Sequence, residues 1–255
     1  MSGGEDGAAA PVDAFTILLA HHTYARGKGF RGKLAWTPRP TLLDALDTAF
    51  VHAVLAGAEG KKMGIRKMLL AVDVGTSMEE SKMYTSRLSA REAALCLAYA
   101  IAKTEGAKGG LSPSDRVNLV PAGCLKSLRD VQTMMVSTKP GVTDAAKLFD
   151  WARTVKKEEA YDLIVMFTDS ETGRKKWRKK AAAKVATTAK VPMKALEDYR
   201  KEVKGGQATK LAVVAMVANQ FSVADPKDKQ CMDVPAFHPT ALAQIRKFAA
   251  STHGQ

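Results

Sequence analysis

The chain has 255 residues, 46% of them hydrophobic and 25% charged, a globular balance with material for one sizeable core. No apolar run approaches the length of a bilayer-crossing helix, and Cys96, Cys124 and Cys231 stand too far apart for a disulfide framework or a zinc site, so no membrane and no disulfide-linked partner is expected. The formal charge of +13, from 39 Lys and Arg against 26 Asp and Glu, favours a polyanionic partner, and RNA suits it better than a membrane because no basic amphipathic helix with aromatic anchors stands out.

Residues 1–11, "MSGGEDGAAAP", are small, acidic and flexible in composition, unlike a secretory signal or an Arg-rich transit peptide. This start favours the cytoplasm, with a ribonucleoprotein of an organelle as the alternative. A helical extension is expected over 12–66. "VDAFTILLAHHTYARGKGFRGK" reads as a short helix followed by a Gly- and Arg-rich turn, and "PTLLDALDTAFVHAVLAGA" repeats its apolar residues at helical spacing.

From residue 67 to 255 short apolar strands alternate with helices, the pattern of a doubly wound α/β domain with a mostly parallel sheet. "KMLLAVD" is the first strand. "SAREAALCLAYAIAKTEG" follows as a helix, with Ser89 and Glu92 at capping-box spacing. "DRVNLVPAG" predicts a strand and "LKSLRDVQTMMVS" a helix. "KPGVTDAAKLFDWARTV" predicts a Pro-Gly turn and a further helix, and "YDLIVMFTD" is the clearest buried strand. A basic segment, a helix around "ALEDYRKEV", the strand "KLAVVAMVA", the loop "NQFSVADPKDKQCMDVPAFHP" and the helix "TALAQIRKFAA" complete the order.

Open parallel sheets bind ligands beyond the carboxyl ends of their strands, where strand order reverses. Asp73 and Ser77 follow the first strand, Asp169 ends "LIVMFTD", and Thr143 opens a helix, so four oxygen donors fall at such places. One or two carboxylates with two hydroxyls suit magnesium, which prefers hard oxygen ligands and keeps several waters. Strand-end Asp and helix-start Ser or Thr are equally ordinary turn and cap residues, Thr143 with Asp144 being one such pair, so spacing alone leaves both readings open.

D-x-S-x-S after an apolar strand, a distant Thr and a later T-D make up the metal-ion-dependent adhesion site of von Willebrand factor A domains, and the order here resembles it. "RGKLAWTP", "LLDALDTAF", "LLAVDVGTSM", "VTDA", "IVMFTDSET", "LEDYRK", "ANQFSVADPKDKQCMDVPAFHPTAL" and "IRKF" make it more specific. From about Val12 to about Phe248 the chain is similar to the C-terminal part of the Ro proteins, the TROVE family of RNA-binding proteins. The resemblance implies a von Willebrand factor A-like fold and makes Asp73, Ser77, Thr143 and Asp169 the metal positions. One hydroxyl is missing: Gly75 stands where the motif has its first Ser, so water has to replace that ligand at a weakened magnesium site. The Ro ring of helical repeats is almost wholly absent, so RNA threading through a ring does not transfer.

A different basic feature is present. Arg174, Lys175, Lys176, Arg178, Lys179 and Lys180 surround Trp177, combining phosphate-neutralising charge with one stacking surface. A solvated helix face is the plain alternative. His21 and His22 lack spaced acidic partners, and Met134 and Met135 belong with the core. No nucleophile with a base and no phosphate loop is present, so the reading is a non-enzymatic, RNA-associated subunit or assembly factor of a ribonucleoprotein, with a protein partner at the metal-site face. The rival is a metal-dependent protein adhesion module without RNA.

Overall fold

The computed structural model describes residues 12–29, 31, 33–56, 65, 67–84, 86–105, 110–112, 118–120, 126–137, 145–155, 158–169, 192–217 and 223–251. Their order is α1 (Ala14–Ala25), α2 (Pro40–Ala56), β1 (Met68–Val72), α3 (Thr76–Glu80), α4 (Ala90–Glu105), β2 (Gly110–Ser112), β3 (Asn118–Val120), α5 (Leu128–Ser137), α6 (Ala146–Val155), β4 (Leu163–Thr168), α7 (Pro192–Glu202), β5 (Lys210–Ala215), β6 (Cys231–Pro235) and α8 (Ala241–Ala250).

The six strands form one sheet in the order β3-β2-β1-β4-β5-β6. All neighbours pair in parallel except β2 with β3, so the sheet is mostly parallel with one antiparallel edge. The chain runs outward from β1 to one edge, returns to β4, and runs outward to the other. Strand order therefore reverses between β1 and β4, which pair from Met68 opposite Leu163 to Val72 opposite Phe167.

Central parallel strands are covered on both sides, and the two-residue period of an extended chain sorts their side chains between two cores. Met68, Leu70 and Val72 of β1, with Leu163, Val165 and Phe167 of β4, join the core beneath α1, α2, α4, α5 and α8. Leu69, Ala71, Ile164 and Met166 join the opposite core, which α6 and α7 cover. Every residue of β1 and β4 is buried, which is why both read as unbroken apolar runs.

The helix boundaries follow from caps. In α4 the expected capping box forms: the Ser89 N–H donates to Glu92 Oε2 at 2.9 Å, and the Glu92 N–H donates to Ser89 Oγ at 3.2 Å. Asp13 caps α1 by accepting from the Thr16 N–H at 3.0 Å. After α7 the chain turns at Gly205, whose φ of +82° is one that side chains with a Cβ rarely adopt.

Three elements escape the sequence pattern. β6 lies inside the stretch expected as a loop, because only Val234 of its five residues is buried and Pro235 ends it, as suits an edge strand. β2 is three residues long beside paired glycines, and α3 is a five-residue turn of helix. The Pro-Gly turn at 140–141 lies outside the described residues.

Candidate functional site

The end of β1 is held to the end of β4 by hydrogen bonds that also fix Asp73. The Asp73 N–H donates to the Phe167 carbonyl at 2.9 Å, continuing the ladder one residue past the strand. The Asp73 carboxylate is buried and accepts on both oxygens. Oδ1 takes the Gly75 N–H at 2.8 Å, and Oδ2 takes the Thr168 hydroxyl at 2.9 Å. The first bond is a two-residue Asx-type turn, so "DVG" is both the bend out of the sheet and the clamp on the acid.

Gly75 is the N-cap of α3, with φ −59° and ψ 161°, and places the half-buried Ser77 in the first turn of that helix. Thr76, beside it, is exposed. Asp169 follows β4 directly and is buried like Asp73. Two buried carboxylates therefore stand at the ends of adjacent strands at the switch point, where the helix carrying Ser77 begins. Thr143 lies outside the described residues, as do Arg174, Lys175, Lys176, Trp177, Arg178, Lys179, Lys180 and Cys124. Among the described residues no group of three or more His, Cys, Asp and Glu is placed to hold a metal ion.

Arg91, a buried cation at the start of α4, ties this face together. It donates to Glu79 Oε2 on α3 at 3.5 Å and to the Met135 carbonyl near the end of α5 at 3.1 Å. Nothing in the sequence singled it out; its only signal was a charge at an apolar-face position of α4.

A second polar cluster lies where α2 meets α4 and α5. Tyr99 Oη lies 3.0 and 3.2 Å from the two oxygens of buried Asp47 and 3.0 Å from the Lys126 carbonyl, and it accepts from the Lys103 ammonium at 2.7 Å. The Leu128 N–H also donates to Asp47, at 3.2 Å. Burial and the Asp47 charge push the Tyr99 phenol well above its ordinary value, so it stays a neutral hydroxyl. His21 is buried nearby and, among the described residues, its Nδ1 makes no hydrogen bond.

The most particular sequence block, "ADPKDKQC", is a structural clasp. Asp225 Oδ1 accepts the Lys227 N–H at 2.9 Å and Asp228 Oδ1 accepts the Gln230 N–H at 2.8 Å. Arg200 of "LEDYRK" donates to Asp228 Oδ2 at 2.5 Å and to the carbonyls of Thr209 and Gln230 at 3.0 and 3.3 Å, which fixes the entry to β6. Burial opposes ionisation of Asp228, but the Arg200 hydrogen bond and the turn amide hold its carboxyl below the usual range. Burial first and the Asp228 carboxylate second push the Cys231 thiol up to about 12, so it is not an activated nucleophile.

A doubly wound sheet of this order, with an acidic turn at its switch point, is the architecture of the von Willebrand factor A class. The model of the Ro60 von Willebrand factor A domain matches residues 67–249, and the chain belongs to that family. It is 32% identical over 244 residues to the RNA-binding protein RO60 of Deinococcus radiodurans and 29% identical over 235 residues to that of Caenorhabditis elegans. These alignments cover 94% and 92% of this chain but 41% and 33% of the relatives, so the chain spans well under half of their length. The crystal structure of Deinococcus radiodurans RO (RSR) protein superposes with a TM-score of 0.61 at 27% identity, over 94% of this chain and 44% of that one.

Proposed function

We propose that the chain is a non-enzymatic, RNA-associated interaction protein, a subunit or assembly factor of a ribonucleoprotein particle. The observation that carries this reading is its kinship, over nearly its whole length, with relatives named as RNA-binding proteins. The net charge of +13 supports it, because phosphate neutralisation is the sequence-independent part of RNA affinity. In this reading Arg174, Lys175, Lys176, Arg178, Lys179 and Lys180 contact phosphates and Trp177 stacks on a base.

The switch-point face serves a protein partner in the same reading. Asp73, Ser77 and Asp169, with Thr143, would hold a magnesium ion, which would supply a positive charge for a partner's carboxylate. The donor set fits in part: two buried carboxylates and one hydroxyl are favourable, and the missing hydroxyl at Gly75 is not. Arg91, by bracing α3, keeps Ser77 in register with the strand ends.

Sedimentation of the native protein in lysate, before and after ribonuclease, tests the function. Migration with a heavy particle that ribonuclease disperses is expected. Slow migration indifferent to ribonuclease would overturn the reading in favour of a protein adhesion module.

A further inference from the structure

The turn between α1 and α2 carries a run of exposed cations in a stretch without acids. Residues 14–43 contain no Asp or Glu, yet Arg26, Lys28, Arg31, Lys33 and Arg39 fall within this stretch and all five are exposed. Among the described residues Lys28, Arg31, Lys33 and Arg39 make no ion pair. Three helix cations contrast with them: Lys194 sits 3.1 Å from Glu197, Lys201 2.5 Å from Glu197, and Arg153 2.8 Å from Glu202. A merely solvated face is laced with acids in that way. This turn is not.

It is also built to hold its shape. Lys28 and Ala35 form an antiparallel bridge, the Gly29 N–H donates to the Leu34 carbonyl at 3.0 Å, and the Trp36 N–H donates to the Gly27 carbonyl at 2.8 Å. Beneath it the Tyr24 and Trp36 rings stack at 6.1 Å with 14° between their planes. The Trp36 indole N–H donates to the Tyr24 carbonyl at 2.9 Å, and the Tyr24 hydroxyl accepts the Arg39 N–H at 3.0 Å. Gly27 makes the reversal at φ +67°, where a Cβ would meet the Trp36 carbonyl oxygen at 2.8 Å. These bonds hold the two limbs of the turn, 27–29 and 34–36, together before any ligand arrives, which lowers the entropic cost of binding. The start of α2, with no acid in its first turn, adds its positive dipole end beside Arg39.

We propose that this hairpin, through Lys28, Arg31, Lys33 and Arg39, is a phosphate-binding surface for single-stranded RNA, distinct from the segment 174–180. The proposal rests on the RNA reading above and gives it a preformed contact site. The stacked rings lie half-buried under the turn, so the contacts are to phosphates and tolerate any sequence.

The test is binding of a short fluorescein-labelled single-stranded RNA of mixed sequence to the full chain, followed by anisotropy across a salt titration. The variant Lys28→Gln/Arg31→Gln/Lys33→Gln/Arg39→Gln should bind at least about tenfold more weakly, and the salt slope should fall by about three, near 0.7 for each lost phosphate contact. Lys28→Arg/Lys33→Arg should bind like the parent, and an unchanged unfolding midpoint in the neutralised variant confirms that the fold is intact. A second variant carries Gln at the six basic positions of 174–180. If that variant loses the binding while the hairpin variant keeps it, the hairpin assignment falls and the RNA reading stands. If the parent ignores RNA at low salt but binds polyglutamate, both fall and an acidic protein is the partner.

Discussion

Gly75 decides how much of an ion site the Asp73 turn retains. Its backbone N–H clamps Asp73, but it offers no hydroxyl, so a bound magnesium would take water at that position. The φ of −59° is open to any residue, and Ser is a favoured N-cap. Gly75→Ser should therefore tighten magnesium binding by about tenfold, close to 1.4 kcal/mol, measured by titration calorimetry. Asp73→Asn should abolish it. Equal heats for the parent and both variants would remove magnesium from the proposed function. Thr168 supports the same acid from the neighbouring strand, a role no sequence motif announces, since only pairing β1 with β4 brings residues 73 and 168 together.

The closing element, α8, is fastened at two points by charges buried against it. Arg246 donates to Glu105 at the end of α4, from Nε at 3.0 Å and from Nη2 at 2.5 Å, with side-chain exposures of only 9% and 1%. The Lys210 ammonium donates to the carbonyls of Phe248 and Ala249 at 2.7 and 3.0 Å and to that of Ser251, so it caps the helix end from the adjacent β5. Removing one member of a buried pair strands the other charge. Arg246→Ala should cost about 3–5 kcal/mol in urea unfolding, whereas Arg246→Met/Glu105→Leu should regain most of that loss. A single-variant cost below about 1 kcal/mol, the range of exposed pairs, would show that α8 does not depend on this contact.

On the scale of the whole molecule, α1 packs on α2 and α2 on α4, so these two helices, outside the matched family region, belong to the same hydrophobic core. His21 sits in that junction. Burial lowers its imidazole below the ordinary 6.5, with His22 and Arg129 adding to the shift and Asp47 opposing it. Burial likewise lowers His22, Arg26 adding to it and Glu92 opposing it. The unfolded chain takes up these protons near 6.5 and the native chain only at lower pH, so the stabilisation is present above 6.5 and is lost as the pH falls below it. The unfolding midpoint should drop between pH 7 and 5, and His21→Met should remove roughly half of that drop, two histidines sharing it. Parallel pH profiles for parent and variant would place the sensitivity elsewhere.

The central sheet was legible because β1 and β4 are buried on both faces and therefore write unbroken apolar runs, and α4 was legible because its capping box is local. β6 and α3 were not, since an edge strand with one buried side chain leaves no period to read and a five-residue turn is too short to show one. For the site, sequence alone placed Asp73, Ser77 and Asp169 at strand ends, a matter of local order along the chain. That Asp73 and Asp169 end neighbouring strands at the switch point, that Thr168 holds Asp73 and Arg91 braces α3, and that cations spread over residues 26–39 flank one hydrogen-bonded turn were decided only by tertiary structure. Those relations are contacts between residues up to 95 positions apart, and no local pattern encodes them.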